Sequence, residues 1–254
     1  MEEKKEDRFL IIAGPCAIES YDQAMTLATE LAEIGVDYFR GGIYKPRSNR
    51  KDFQGIGEKG VPILQEIQKF LPVVSETTQV ENIGIVASCA DVLQIGSRNM
   101  HNIELLREVG KTTKTIMFKR GYAAKLEEEW IPGVLYLNRK QEIWMCERGI
   151  RTFETYTRNT LDLAAIHAVK QHYDFPVIID PSHAAGRPDL VIPLALAGIA
   201  AGANGIMIEV HNNPSEALCD GHQAISVKQL KDSLQIIYEI ADIVRKDKGG
   251  VEYV

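Results

Sequence analysis

The chain alternates short, almost uninterrupted apolar runs with longer stretches in which apolar residues return at helical spacing. Eight runs stand out: FLIIAG (9–14), VDYFR (36–40), PVVSE (72–76), DVLQI (91–95), TIMFK (115–119), EIWMC (142–146), PVIID (176–180) and GIMIE (205–209). Runs this apolar, rich in Val and Ile, predict parallel strands covered on both faces rather than half-exposed ones. Between them, 21–35 keeps helical periodicity and stops at Gly35, and 160–172 and 190–202 follow the same rule. Pro132 and Gly133 interrupt LEEEWIPGVLYLNRK, so a delayed or broken fifth helix is expected. Repeated βα units thus run from residue 9 to 245.

This order predicts an α/β fold, a single-domain (β/α)8 barrel (TIM barrel), and 254 residues suit one such domain of roughly 250. The barrel is expected over 9–247, after a charged segment (1–8) and before a solvated tail (248–254). In such a barrel every strand ends on one face, so residues distant in sequence converge on one pocket.

Charge narrows the partners. A net charge of −6 leaves no basic excess to neutralise a phosphate polymer or an anionic bilayer, so neither nucleic acid nor membrane is expected as a partner. No apolar stretch approaches the ~20 residues of a spanning helix, and the start MEEKKEDR is charged, so a cytoplasmic location is expected. The four cysteines share no CxxC spacing, which favours free thiols or metal ligation over disulfides.

Each apolar run ends, at its last residue or within a few residues beyond it, in a side chain able to grip an anion or a metal: Cys16, Arg40, Glu76, Arg98, Lys119, Arg148, His183 and Glu209. The segment RGGIYKPRSNRKDFQG (40–55) sets Arg40, Lys45, Arg47 and Arg50 among glycines and a proline, the chemistry of a loop that holds phosphate or carboxylate. A solvated basic turn is the alternative, but Arg98, Lys119, Arg120 and Arg148 lie at other strand ends. So many cations imply two anionic groups or two substrates. Cys16, His183, Glu209 and Asp220 form a mixed S, N, O donor set suited to a divalent transition metal rather than to Mg or Ca. Singly, three of them have ordinary structural readings: Cys16 as a small buried thiol, His183 as a turn residue and Asp220 as a helix cap.

GPCAIES (14–20), RGGIYKPRS (40–48), FQGIGEKG (53–60), LQIGSRNM (93–100), FKRG (118–121), CERGIRTFETYTR (146–158), DPSHAAGRPDLV (180–191) and MIEVH (207–211) together resemble the 3-deoxy-D-arabino-heptulosonate 7-phosphate (DAHP) synthases. The resemblance runs from about residue 9 to 245 and points to the compact microbial branch related to the eight-carbon KDO-8-phosphate synthases. It implies condensation of phosphoenolpyruvate with D-erythrose 4-phosphate, which opens the shikimate route to chorismate and the aromatic amino acids. KPRS (45–48) and IGSRN (95–99) stand where the eight-carbon synthases usually show KANRS and an IPAF-like segment, which favours the four-carbon aldose.

Residue by residue, the resemblance implies a divalent ion (Mn, Fe, Zn or Co) on Cys16, His183, Glu209 and Asp220. It implies a phosphoenolpyruvate site of Arg40, Lys45, Arg98, Lys119 and Arg148, with Glu76, Gly96 and Ser97 adding polar contacts, and Arg47 and Ser48 on the erythrose phosphate. Lys45 is expected as the acid toward the developing alkoxide, and the metal, Glu76 or His183 as activator of the attacking water. Ser48 and Ser97 depart from the commoner Thr and Ala, as small residues that keep the site's character. A homo-oligomer, dimer or tetramer, is expected. With 13 residues before Gly14, feedback control by an aromatic amino acid is not expected within this chain.

Two other readings compete: a Schiff-base aldolase through Lys119, and a silent barrel that only binds a phosphorylated metabolite. His211, His222, Cys146 and Cys219 are expected to stay outside the ligand set. Trp130 and Trp144 are expected to pack, and the acidic run 127–129 to lie on a helix surface.

Overall fold

A computed structural model describes residues 8–47, 49–138 and 140–246. Eight parallel strands, β1 (Leu10–Gly14), β2 (Tyr38–Arg40), β3 (Val73–Thr77), β4 (Val92–Ile95), β5 (Thr115–Lys119), β6 (Ile143–Glu147), β7 (Val177–Ile179) and β8 (Gly205–Glu209), pair in sequence order. β8 closes on β1, with Gly14 opposite Glu209. The helices are α1 (Tyr21–Glu33), α2 (Val61–Ile67), α3 (Ile83–Ala87), α4 (Ile103–Val109), α5 (Ile131–Gly133), α6 (Ala164–His172), α7 (Pro181–Ala185), α8 (Val191–Ala200) and α9 (Val227–Lys246).

Alternation along each strand makes two cores. Ile12, Val74, Val92, Met117, Trp144, Cys146, Ile178 and Met207 fill the barrel interior, while their neighbours, such as Ile11, Ala13, Val73, Leu93 and Ile179, pack outward against the helices. This is why the strands read as continuously apolar: neither face meets water. Tyr38 and Trp144 meet edge to face inside the barrel, their ring centroids 5.2 Å apart. Trp130 is also buried, and its indole N–H donates to the Phe118 carbonyl. Both tryptophans therefore pack, as expected.

The strands begin and end within about two residues of the apolar runs, but β2 and β7 contain only three residues each. Asp37, ahead of β2, turns its carboxylate back to accept from the Ile11 N–H at 2.8 Å. Pro176, ahead of β7, has no N–H to donate, although its carbonyl still accepts from Met145 N.

The broken fifth helix is present as three different turns. A π-helical turn (Leu126–Trp130) passes into α5 and then into a 3-10 turn (Val134–Tyr136). Pro132 cannot donate into the preceding turn. A Cβ at Gly133 would lie 2.8 Å from the Phe118 ring, so only glycine lets this segment lie against β5. Glu127 and Glu128 are exposed on its outer side.

Among the described residues no helix is long and apolar enough to cross a membrane. Residues 1–7, Ser48 and the tail 248–254 lie outside the described residues, and with them the expectations placed there.

Candidate active site

Parallel closure carries the residues that follow the strands to one mouth, and two groups assemble there. The first holds the four candidate metal donors. Cys16, His183, Glu209 and Asp220 each bring one ligand atom, all within 4.8 Å of one another. Cys16 stands two residues past β1, and its N–H donates to Glu209 Oε1 at 2.5 Å, which ties the first loop to the end of β8. At Gly14 a Cβ would collide with the Arg40 carbonyl, so glycine is needed for this loop to lie against β2. Asp220 follows β8 in a left-handed conformation (φ 55°), unusual for a residue with a Cβ and characteristic of strained functional positions.

His183 sits in α7, whose first residue is Pro181 and whose cap is Asp180. The Asp180 carboxylate accepts from the His183 N–H at 3.0 Å and lies 2.8 Å from His183 Nδ1. With Asp180 beside Nδ1, it is Nε2 that faces Cys16 Sγ at 3.7 Å and Asp220 at 3.8 Å.

The second group is cationic. A cavity of about 280 Å³ is lined by Cys16, His183, Asp220 and Glu76 together with Lys45, Arg47, Arg98, Lys119 and Arg148. Gly96 and Ser97 line it as well. Arg40 is buried just behind, donating to Glu209 Oε2 at 3.1 Å, while its Nε and Nη1 have no hydrogen-bond partner within the protein. Arg148 Nε is likewise buried without a partner. Lys45 reaches from its loop to donate to Cys16 Sγ and to Asp220 Oδ2 (2.6 Å), so an ammonium lies against two of the four donors. Lys119, at the end of β5, pairs with Asp180 at 2.5 Å. Arg47 pairs with Asp52 at 3.1 Å.

The electrostatics match this crowding. The Cys16 thiol is held well below its ordinary value by a hydrogen bond from Cys219 and, against the opposing effect of burial, by the charges of Lys45 and Arg40. Burial disfavours charge on His183, but the Asp180 carboxylate prevails and pushes it up to about 9. Burial pushes Glu209 up to about 7 despite Arg40. Glu76 is also raised by burial, with Lys45 opposing. Its carboxylate accepts from Gln94 at 3.1 Å and lies so close to Gly96 that any side chain there would collide with it.

Besides Arg40, two expected cations do not line the pocket: Arg50, exposed on its loop, and Arg120. Arg120 follows Lys119 and therefore points to the other side of the sheet. There it pairs with Glu147 (2.9 Å) and Asp162 (2.7 Å) over the Trp130 ring. Cys146 lies in the barrel interior, where burial pushes its thiol up to about 12. His211 is buried beside Glu19 at 3.5 Å, and neither it nor His222 is among the four clustered donors. Cys219 is not a member either, but its free thiol packs against Cys16.

Several pocket residues were not singled out from the sequence. Arg151, Arg158, Tyr122, Asn159 and Gln94 line the cavity. Both arginines lie inside CERGIRTFETYTR, whose repeated cations were the signal available. Asp180 had a weaker one: an acidic residue just before the proline of a strand-to-helix turn.

Fold and site together define the class: a closed (β/α)8 enzyme with a candidate transition-metal centre beside a polycationic pocket. The profile of the DAHP synthetase I family matches residues 2–246, and the chain belongs to that family. A phospho-2-dehydro-3-deoxyheptonate aldolase of Thermotoga maritima is 44% identical over 237 residues, spanning 92% of this chain and 70% of that protein. A 2-dehydro-3-deoxyphosphooctonate aldolase of Fusobacterium nucleatum is 32% identical, spanning 94% and 92%. The crystal structure of the Thermotoga maritima phospho-2-dehydro-3-deoxyheptonate aldolase (DAHP synthase) superposes with a TM-score of 0.90 at 43% identity, covering 94% of this chain and 71% of that one. A truncated form of the Thermotoga maritima enzyme gives 0.86 at 41%, covering 94% and 88%.

Proposed function

We propose that this chain condenses phosphoenolpyruvate with D-erythrose 4-phosphate and water to give 3-deoxy-D-arabino-heptulosonate 7-phosphate and inorganic phosphate, as a transferase of the DAHP synthase type. The observation that carries the reading is the convergence of four donor atoms within 4.8 Å beside a cavity lined by arginines and lysines.

The donor set fits a divalent transition ion, since it mixes one sulfur, one nitrogen and two carboxylates, and the Lys45 ammonium already rests between Cys16 and Asp220. When bound by Cys16, His183, Glu209 and Asp220, such an ion (Mn, Fe, Zn or Co) supplies Lewis-acid polarisation of a carbonyl.

The chain's own residues do the rest. Arg40, Lys45, Arg98, Lys119 and Arg148 hold the carboxylate and phosphate of phosphoenolpyruvate; two buried guanidinium groups with unpaired N–H donors are suited to an anion that completes them. The amides of Gly96 and Ser97 add to that cradle, and Arg47, with Ser48, takes the phosphate of the aldose. C3 of the enol phosphate attacks the aldehyde carbon of erythrose 4-phosphate, forming the new carbon–carbon bond. Lys45 gives its proton to the alkoxide that develops. Water then adds at C2, and breakage of the C2–O bond releases phosphate.

For the water's proton, Glu76 is the better base. Burial raises its pKa, which makes it a stronger base than an exposed carboxylate, and it faces the pocket. His183 has one nitrogen 2.8 Å from the Asp180 carboxylate and the other directed at the donor cluster. Lys119 is a poor Schiff-base candidate, because its Nζ is engaged by Asp180 at 2.5 Å.

The test is phosphate release from phosphoenolpyruvate supplied with erythrose 4-phosphate and, separately, with arabinose 5-phosphate. Release with the four-carbon sugar supports the reading. Release only with the five-carbon sugar replaces it by the eight-carbon synthase, and release with neither removes the condensation.

A further inference from the structure

Asp180 sits between the two halves of the site. It is fully buried, and its Oδ1 accepts from the His183 backbone N–H at 3.0 Å, capping α7. Its Oδ2 serves two side chains at once: Lys119 Nζ at 2.5 Å and His183 Nδ1 at 2.8 Å. One oxygen is thus shared by a lysine of the anion pocket and a histidine of the donor cluster.

We infer that Asp180 is a positioning residue that couples metal binding to phosphoenolpyruvate binding, each favouring the other. This rests on the proposed function. The two side chains compete for Oδ2. An anion that takes over the charge of Lys119 leaves Oδ2 to His183 Nδ1, which lies 2.8 Å away without a well-aligned hydrogen bond, so that the Nδ1–H bond forms and makes Nε2 a better donor. A cation on Nε2 polarises the ring and draws Nδ1–H toward Asp180, and Lys119 is released to the anion. Such coupling is reciprocal by linkage, each ligand tightening the other by the same factor.

The experiment uses the metal-stripped full chain without aldose, so that no turnover occurs. Mn²⁺ is titrated with and without saturating phosphoenolpyruvate, and free Mn²⁺ is followed by electron paramagnetic resonance. In the wild type, phosphoenolpyruvate is expected to tighten Mn²⁺ by at least about 5-fold. Asp180→Asn keeps an oxygen to cap α7 but places an amide NH₂ against two other donors. It is expected to weaken Mn²⁺ by about 10–100-fold and to bring the coupling factor to about 1, meaning independent sites.

Coupling that persists in Asp180→Asn, as direct attraction between the two ligands would produce, overturns the inference. So does a wild type that binds both ligands independently, a result that needs no variant to fold. A wild type that fails to bind phosphoenolpyruvate at all overturns the proposed function together with the inference.

Discussion

His183 Nε2 lies 3.7 Å from Cys16 Sγ, although 167 positions separate the two residues along the chain. They follow β7 and β1, which are not neighbours, since β8 lies between them. Only closure of the barrel brings both loops over one point, and Glu209, at the end of the intervening β8, completes the contact through Cys16 N.

Removing the sulfur should therefore empty the centre without unfolding the barrel. Cys16→Ala is expected to lose bound metal and to lower kcat by more than about 100-fold, beyond the 10–100-fold typical of outer partners. Circular dichroism should stay unchanged. Metal analysis beside turnover checks this, and full activity in exhaustively chelated wild type removes the ion from the mechanism.

Arg148 presents a buried, unpaired Nε to the pocket, and burial pulls its guanidinium below the ordinary value. Arg148→Ala is expected to cost about 1.5–3 kcal/mol of transition-state binding, the value of a hydrogen bond to a charged group. That corresponds to roughly 10–150-fold in kcat/KM for phosphoenolpyruvate. Steady-state kinetics with each substrate varied in turn should place the loss on phosphoenolpyruvate.

Arg120 offers the contrasting case. Its two carboxylate partners, Glu147 buried and Asp162 partly so, would be stranded by Arg120→Met. The expected outcome is a loss of about 3–5 kcal/mol in unfolding free energy, the usual consequence of breaking a buried pair. Urea denaturation measures it, with the KM for phosphoenolpyruvate unchanged in the protein that remains folded.

Glu76 should show a trade of stability against activity. Burial raises its pKa in the folded state, so the folded chain keeps this proton over a range where the unfolded chain, near about 4.3, has lost it. Its contribution to stability is then full below the unfolded value and is lost as pH rises through the folded one. Glu76→Gln removes that titration and can still accept from Gln94. Its melting temperature should gain on the wild type from about pH 4.3 upward and level off above the folded pKa, while turnover falls. An equal difference at all pH values contradicts this.

Much of this was readable in one dimension. Eight apolar runs marked the strands because a parallel strand is covered on both faces. Residues that follow strands could be gathered into one site because parallel topology leaves all strand ends on one rim, so Cys16, Arg40, Glu76, Arg98, Lys119, Arg148, His183 and Glu209 were found by position and chemistry. The broken fifth helix was legible in Pro132 and Gly133, since a missing N–H acts locally.

What only the tertiary structure decided depends on where side chains point and what they share. Lys119 and Arg120 are adjacent cations, and the two-residue repeat of the strand sends one to the pocket and the other to a structural ion pair. Cys219 and Asp180 carry no spacing that announces their distant partners, because Cys16 is reached only through ring closure and Lys119 meets Asp180 only once β5 and β7 flank β6, whereas His183 is Asp180's neighbour within one helical turn. Sequence sets local preference and burial period, whereas a shared carboxylate or a four-atom donor cluster is a distance between distant segments, and that exists only after the chain has closed.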